Sequence, residues 1–260
     1  MSATEDPQAF FDLHAQALQT AAMRSAQDAI AFITSFEDDI ERRVLFLFAR
    51  RVLSLETWPD RNMDTCVAVA RAGITEMLHQ ADNAANDDMR RRCINLANAM
   101  SYNLAADTAD CWPGDELRRE VRHFEAGLAA AEDCIRWRIE LGIGDDALAT
   151  AWWAKGMHQL SLKDPEAARG SWQRSYELAQ AAARADGRTG DVGLDGEFGV
   201  ILAWGYLGLA EWVKGEEQGK VRYHEAITTF NAQCADPELE EDARFGIDQL
   251  ETVRAKHIGA

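Results

Sequence analysis

Runs in which polar and β-branched residues alternate are missing from this sequence, so a β-sheet has no material to form from. Long apolar runs are missing too. The longest obvious one, VLFLFA at 44–49, falls far short of the roughly 18 residues that span a bilayer, so no membrane association is expected. The opening MSATEDPQAFFDLHAQ has no basic segment followed by an apolar one, hence no readable secretory signal, and a cytoplasmic location is expected. Cysteine is sparse. Cys66, Cys93, Cys111, Cys134 and Cys234 lie far apart and form no CxxC pair, which argues against a disulfide framework or a zinc site and leaves buried thiols.

Basic charge is also in deficit: 27 Lys and Arg against 44 Asp and Glu give a net charge of -17. Such a field repels phosphate backbones and anionic lipid, so nucleic acid is not an expected partner. The one basic stripe, Arg90, Arg91 and Arg92, reads as a solvated helix face. G-x-S-x-G, H-E-x-x-H and a cysteine with reactive local context are all absent. No catalytic residue and no cofactor are expected, and the chain reads as a non-enzyme.

What is present is helix signal almost throughout, in a chain of 260 residues that is 47% hydrophobic and long enough to bury a core. Periodicity predicts helices near 6–22, 25–35, 38–55, 63–84, 87–106, 115–141, 145–162, 165–185, 197–214, 218–233 and 237–256. Their breaks carry Trp58-Pro59-Asp60, Trp112-Pro113-Gly114, Gly142-Ile143-Gly144 and Asp164-Pro165. An all-α protein of about eleven short helices follows.

Within it, Trp152, Gly156, Ala168 and Trp172 fall at the spacing W-x3-G-x11-A-x3-W. A bare glycine inside a helix costs roughly 1 kcal/mol against alanine, so a close approach should compensate for it. Asp164 is a good N-cap for the second helix of this unit, Pro165 suits its first position, and Glu166 adds favourable charge in its first turn.

This stretch resembles the tetratricopeptide repeat (TPR), a helix-turn-helix of about 34 residues. A second copy starts in LAWGYLGLAEWVKGEE, where Trp204, Leu207 and Gly208 reproduce W-x2-L-G, although Lys220 and His224 stand at the small and aromatic places of its second helix. Leu96-Ala97 gives a weaker match, and RWRIELGIGDDALATA at 136–151 is similar to the long linker of kinesin-light-chain repeats. Departures include Lys155 for the usual leucine, Gln159 and Glu211 for tyrosine, and Gln180 for proline. The glycine-rich GRTGDVGLDGEFG, 187–199, separates the two clear copies and reads as a flexible insertion, matching neither a phosphate-binding nor a calcium loop.

The resemblance implies antiparallel helix pairs stacked into a right-handed α-solenoid. Residues 1–85 would form an N-terminal helical region packing on repeats within 86–257, the clearest being 149–182 and 201–233. In the family, the glycine lets the second helix's aromatic, here Trp172, approach the first helix. The groove positions implied are Thr150, Trp153, Met157, Leu160, Ser161, Leu202, Leu209, Trp212 and Val213, an apolar and aromatic lining suited to a partner's peptide or helix. Trp153 and Met157 occupy two positions of the carboxylate clamp that binds chaperone C-termini, so that specificity is not expected. Alternatively, a further helix, such as the C-terminal one, covers these tryptophans as core.

The functional expectation is a protein-interaction module, in one version an acidic inhibitor or immunity-type adaptor facing a basic partner. The alternative is a helical metal or small-ligand site on the two Glu-x-x-His pairs, Glu76 with His79 and Glu120 with His123, whose i, i+3 spacing puts both groups on one helix face.

Overall fold

A computed structural model describes residues 2–54, 58 and 60–259. Leu55, the expected end of the third helix, and Pro59, the centre of an expected break, lie outside the described residues. Those described form eleven α-helices and no strand: α1 Pro7–Arg24, α2 Ala26–Thr34, α3 Asp39–Leu53, α4 Met63–Asp82, α5 Asp87–Thr108, α6 Val121–Leu141, α7 Asp145–Ser161, α8 Pro165–Ala185, α9 Phe198–Val213, α10 Glu217–Gln233 and α11 Glu240–His257.

The starts are set by side-chain caps that satisfy otherwise orphaned N–H groups. Asp6 accepts from Ala9 N at 2.9 Å, Ser25 from Asp28 N at 2.9 Å, Asn62 from Thr65 N at 2.8 Å and Asp164 from Ala167 N at 3.0 Å. Two helices follow Asp-Pro, with the proline in the first turn. Two starts differ from expectation: α6 begins at Val121, not near 115, and α11 at Glu240, not at 237.

The chain divides into two compact units, residues 1–108 with 116–126, and residues 109–115 with 127–260. In the first, α4 packs on α5, with α1, α2 and α3 against one another and against α4. Its core includes Phe11, Leu18, Ile33, Leu45 and Met77, all fully enclosed. Gly73 of α4 sits where a Cβ would lie 3.0 Å from Phe46 Cβ and closer still to Met100. The boundary expected near residue 85 falls inside this unit, between α4 and α5. Arg90, Arg91 and Arg92 are exposed on α5.

In the second unit consecutive helices from α7 onward pack on one another: α7 on α8, α8 on α9, α9 on α10, and α11 against both α9 and α10. This solenoid-like stacking of consecutive antiparallel neighbours buries Trp172, Tyr206, Tyr223 and Phe230 completely or nearly so. No described helix is long and apolar enough to cross a membrane.

Candidate functional site

Two helix crossings of the second unit, α7 on α8 and α9 on α10, depend on glycine. A Cβ on Gly156 would stand 2.4 Å from Trp172 Nε1, so the bare backbone of α7 is what admits the indole. Trp172 Nε1–H then donates to the Trp153 carbonyl at 3.1 Å, and Ser175 Oγ donates to the Ala149 carbonyl at 2.8 Å. Two side chains of α8 are thus bonded to the backbone of α7. Ala168, fully enclosed, leaves room one turn before Trp172.

At the second crossing, a Cβ on Gly208 would lie 2.7 Å from the Gly219 carbonyl oxygen, and one on Gly219 would lie 2.4 Å from Trp212 N. The small and aromatic positions of α10 are therefore Gly219 and Tyr223, one residue before the expected Lys220 and His224. The register slips by one because two facing glycines bring these backbones into contact.

Both crossings end in the same turn. Lys163 (φ 68°) and Gly215 (φ 84°) are left-handed, and Asp164 N bonds the Gln159 carbonyl as Glu216 N bonds the Glu211 carbonyl. This is the Schellman closure, normally made with glycine. The departures from the repeat pattern find partners elsewhere: Lys155 pairs with Glu132 of α6 at 3.0 Å, and buried Glu211 pairs with Arg222 of α10. Gln180 Nε2 donates to the Gly190 carbonyl at 2.6 Å, while Gln233 Nε2 donates to those of Leu194 and Gly196 at 3.0 and 2.8 Å. The insertion expected to be a flexible linker is thus tied to α8 and α10, with Val192 packed on a core cluster of α7, α8 and α9.

Of the expected groove residues, Trp153 is 8% exposed and Met157, Leu160 and Leu209 are essentially enclosed. Leu202, Trp212 and Val213 are half-buried. Trp212 leans on Tyr223 and His224 of α10, at 5.4 and 5.8 Å between ring centres. Thr150 accepts from Arg138 at 2.9 Å, and Ser161 is half-buried beside the α7 terminus.

What covers Trp153 is a short non-helical stretch, residues 109–115. Trp112 meets Trp153 edge-on at 6.0 Å, and Phe245 of α11 stacks on it at 6.3 Å. Cys111 is fully enclosed beside the Tyr206 hydroxyl of α9, whose pKa burial pushes well up. Lys256 Nζ of α11 bonds the Asp110 carboxylate at 2.5 Å and approaches its carbonyl. Beyond Trp112 the chain turns at Pro113-Gly114, with Gly114 at φ 74° and Asp115 N bonded to the Trp112 carbonyl at 3.3 Å. One short segment therefore touches α7, α9 and α11 within a few residues. Sequence reasoning missed it, although Trp112-Pro113-Gly114 had been marked as a break.

His257, at the end of α11, borders the same contact. Its Nε2 is buried without a hydrogen-bond partner. Desolvation, with Lys163 and Lys256 adding repulsion and Asp110 opposing it, brings its pKa down to about 4.

The Glu-x-x-His pairs are committed to other bonds. Glu120 precedes α6, so it shares no helix face with His123. Its backbone N–H donates to His123 Nδ1 at 2.9 Å, which closes the helix start as a capping box would. With Nδ1 accepting, His123 Nε2–H donates to Asp64 Oδ1 at 2.9 Å. Hydrogen bonds from Arg122 and His123 hold the Asp64 carboxyl far below the usual carboxylate range. Glu76 accepts from Arg42 Nε and Gln80 Nε2, both at 2.8 Å. Desolvation alone would raise Glu76, but these bonds outweigh it and its pKa falls. His79 is exposed. Among the described residues, no three His, Cys, Asp or Glu side chains gather at metal-binding distance.

A cavity of about 440 Å³ opens between the insertion, α10 and α11, with Phe198, Leu194 and Leu239 on its walls and Asp195, Asp236 and Asp242 around them. The sequence matches no protein-family model and no curated protein.

Proposed function

We propose that this chain is a non-enzymatic protein-interaction module of the TPR-like kind, and that the face shared by α7, α9 and α11 takes an extended peptide from a partner protein. The observation that carries the reading is the seating of residues 109–115 on that face. The seat supplies an aromatic slot between Trp153 and Phe245, a small enclosed place beside Tyr206 and a cation at Lys256. These are the elements of extended-peptide recognition: pockets for selected side chains and a charge to set direction. Burial of Trp153, Met157 and Leu209 leaves them no part of a free surface.

The charge of -17 supports a version in which the partner is basic elsewhere on its surface, as for an acidic inhibitor or immunity-type adaptor, with electrostatic steering of the encounter. Hydrogen bonds of Glu76 and His123 within the fold favour the interaction reading over a metal site on the Glu-x-x-His pairs.

The test is selection of a displayed random-peptide library on the intact protein, with binding of enriched sequences measured in the presence and absence of a chelator. Reproducible, chelator-insensitive binders are expected. A selection that enriches nothing over an unrelated helical protein would sink the proposal.

A further inference from the structure

We propose that the cavity between the insertion, α10 and α11 is a binding site for a small organic cation, one with an apolar body and a protonated amine or amidine head. This site uses none of the side chains of the peptide face on α7, α9 and α11, so it stands or falls apart from that reading.

The cavity has the make-up of a ligand pocket. Its volume of about 440 Å³ lies within the range of small-molecule sites, which combine apolar walls with a few polar groups that orient the ligand. Leu194 and Leu239, 60% and 37% exposed, line it together with Phe198, whose ring packs on Phe230 at 5.6 Å between centres. Large apolar side chains left open to water are thus gathered at one concavity.

The insertion wall is held in place by Gln233, 3% exposed, whose Nε2 donates to the carbonyls of Leu194 and Gly196 at 3.0 and 2.8 Å. Two carbonyl partners settle which end of that amide is the nitrogen. Gln233 lines the cavity, and its Oε1 accepts no hydrogen bond from a described residue. A buried side chain therefore offers an acceptor to a bound donor.

Charge selects the sign of the ligand. Asp195, Glu197, Asp236 and Asp242 stand around the cavity, and no described lysine, arginine or histidine lines it. Glu197 is paired with Arg188, and Asp236 Oδ1 accepts from Glu238 N at 2.9 Å. Among the described residues, no ion pair or hydrogen bond engages the carboxylates of Asp195 and Asp242. Carboxylates without a cation repel an anionic ligand and favour a protonated one, and the net charge of -17 draws cations toward them. Carboxylate and amide oxygens are both acceptors, so the head must carry N–H donors, which a quaternary ammonium lacks.

The probe is 4-phenylbutylamine, protonated at neutral pH, titrated onto the full chain and followed by backbone amide NMR. Beside it run 4-phenylbutanol, which keeps the body without the charge, butylamine, which keeps the charge without the ring, and 4-phenylbutyrate, which reverses the sign. Shift changes are expected within residues 194–198 and 232–242. The phenyl amine should bind about fivefold more tightly than the alcohol or butylamine, and the carboxylate more weakly than all three. Asp195→Asn combined with Asp242→Asn, two exposed positions, should bring the amine down to the affinity of the alcohol and leave the alcohol unchanged, with folding checked by circular dichroism. Leu194→Ser should weaken amine and alcohol alike. An amine that binds no better than the alcohol, shifts that map elsewhere, or an undiminished preference for the amine in the folded double variant overturns the proposal. So does binding of the tripeptide acetyl-Arg-Leu-Lys-amide with the phenyl amine silent, which gives the cavity to a basic segment of a partner protein.

Discussion

Gly156 shows how a residue with no side chain can be the most constrained position in a helix. Its helix penalty of roughly 1 kcal/mol is offset by the packing of Trp172 and by an indole-to-carbonyl hydrogen bond. Gly156→Ala should therefore destabilise the protein by about 2–3 kcal/mol in equilibrium urea unfolding, despite alanine's better propensity. A neutral result would mean that the indole can swing clear at no cost. Lys163 is the opposite case, a side-chain-bearing residue held at φ 68° where the equivalent place in the next pair has Gly215. The left-handed conformation costs an L-residue roughly 1–2 kcal/mol, part of which glycine returns as unfolded-state entropy. Lys163→Gly should raise stability by about 0.5–1 kcal/mol in the same assay, and a loss would show that the Lys163 side chain holds more than its turn.

Among elements, α11 and the 109–115 segment stabilise each other through Lys256, Phe245 and the surroundings of His257. The folded His257 pKa of about 4 lies below its ordinary 6.5. Between those values the unfolded chain binds a proton that the folded chain refuses, so stability is complete above about pH 6.5 and falls as the pH drops toward 4. Each pKa unit is worth about 1.4 kcal/mol, and partial solvent access reduces the sum to the order of 2 kcal/mol. Denaturant midpoints of wild type and His257→Gln, compared at pH 7.5 and pH 4.5, should show a steeper acid loss in wild type. Parallel pH profiles would remove His257 as the cause. Asp64 acts in the other range. With its carboxyl held far down by Arg122 and His123, its contribution persists through this window and is lost only in stronger acid.

For the whole molecule, the net charge of -17 sets how it meets other proteins. Association with a basic partner should slow by about tenfold or more between low and physiological ionic strength, measured by stopped-flow, while dissociation changes little. A rate indifferent to salt would separate the charge from the function. Binding of a peptide to the proposed face on α7, α9 and α11 would rest mostly on apolar contacts and should follow a shallower salt dependence.

Much of this architecture was legible from local pattern. Helix periodicity, the Asp164-Pro165 start and the demand of Gly156 for a close neighbour are short-range facts, and the eleven helices among the described residues, with no strand there, follow from them. The candidate groove was only half legible. Trp153, Met157 and Leu209, expected to line a groove, are buried, and no local rule says that residues about 40 positions upstream of Trp153 return to pack on it. The one-residue slip at Gly219 and Tyr223 was hidden for a similar reason: Lys220 and His224 keep the spacing, but only backbone contact between Gly208 and Gly219 selects the register. Likewise Glu120 kept its spacing to His123 but lost its helix, because the start of α6 is decided by a cap that involves His123 itself. By itself the sequence determined the helices, their caps and the charge, since these depend on neighbours along the chain. The filling of the α7–α9–α11 face and the seating of the insertion were decided by tertiary structure alone, since they depend on which distant apolar groups find each other once water is excluded.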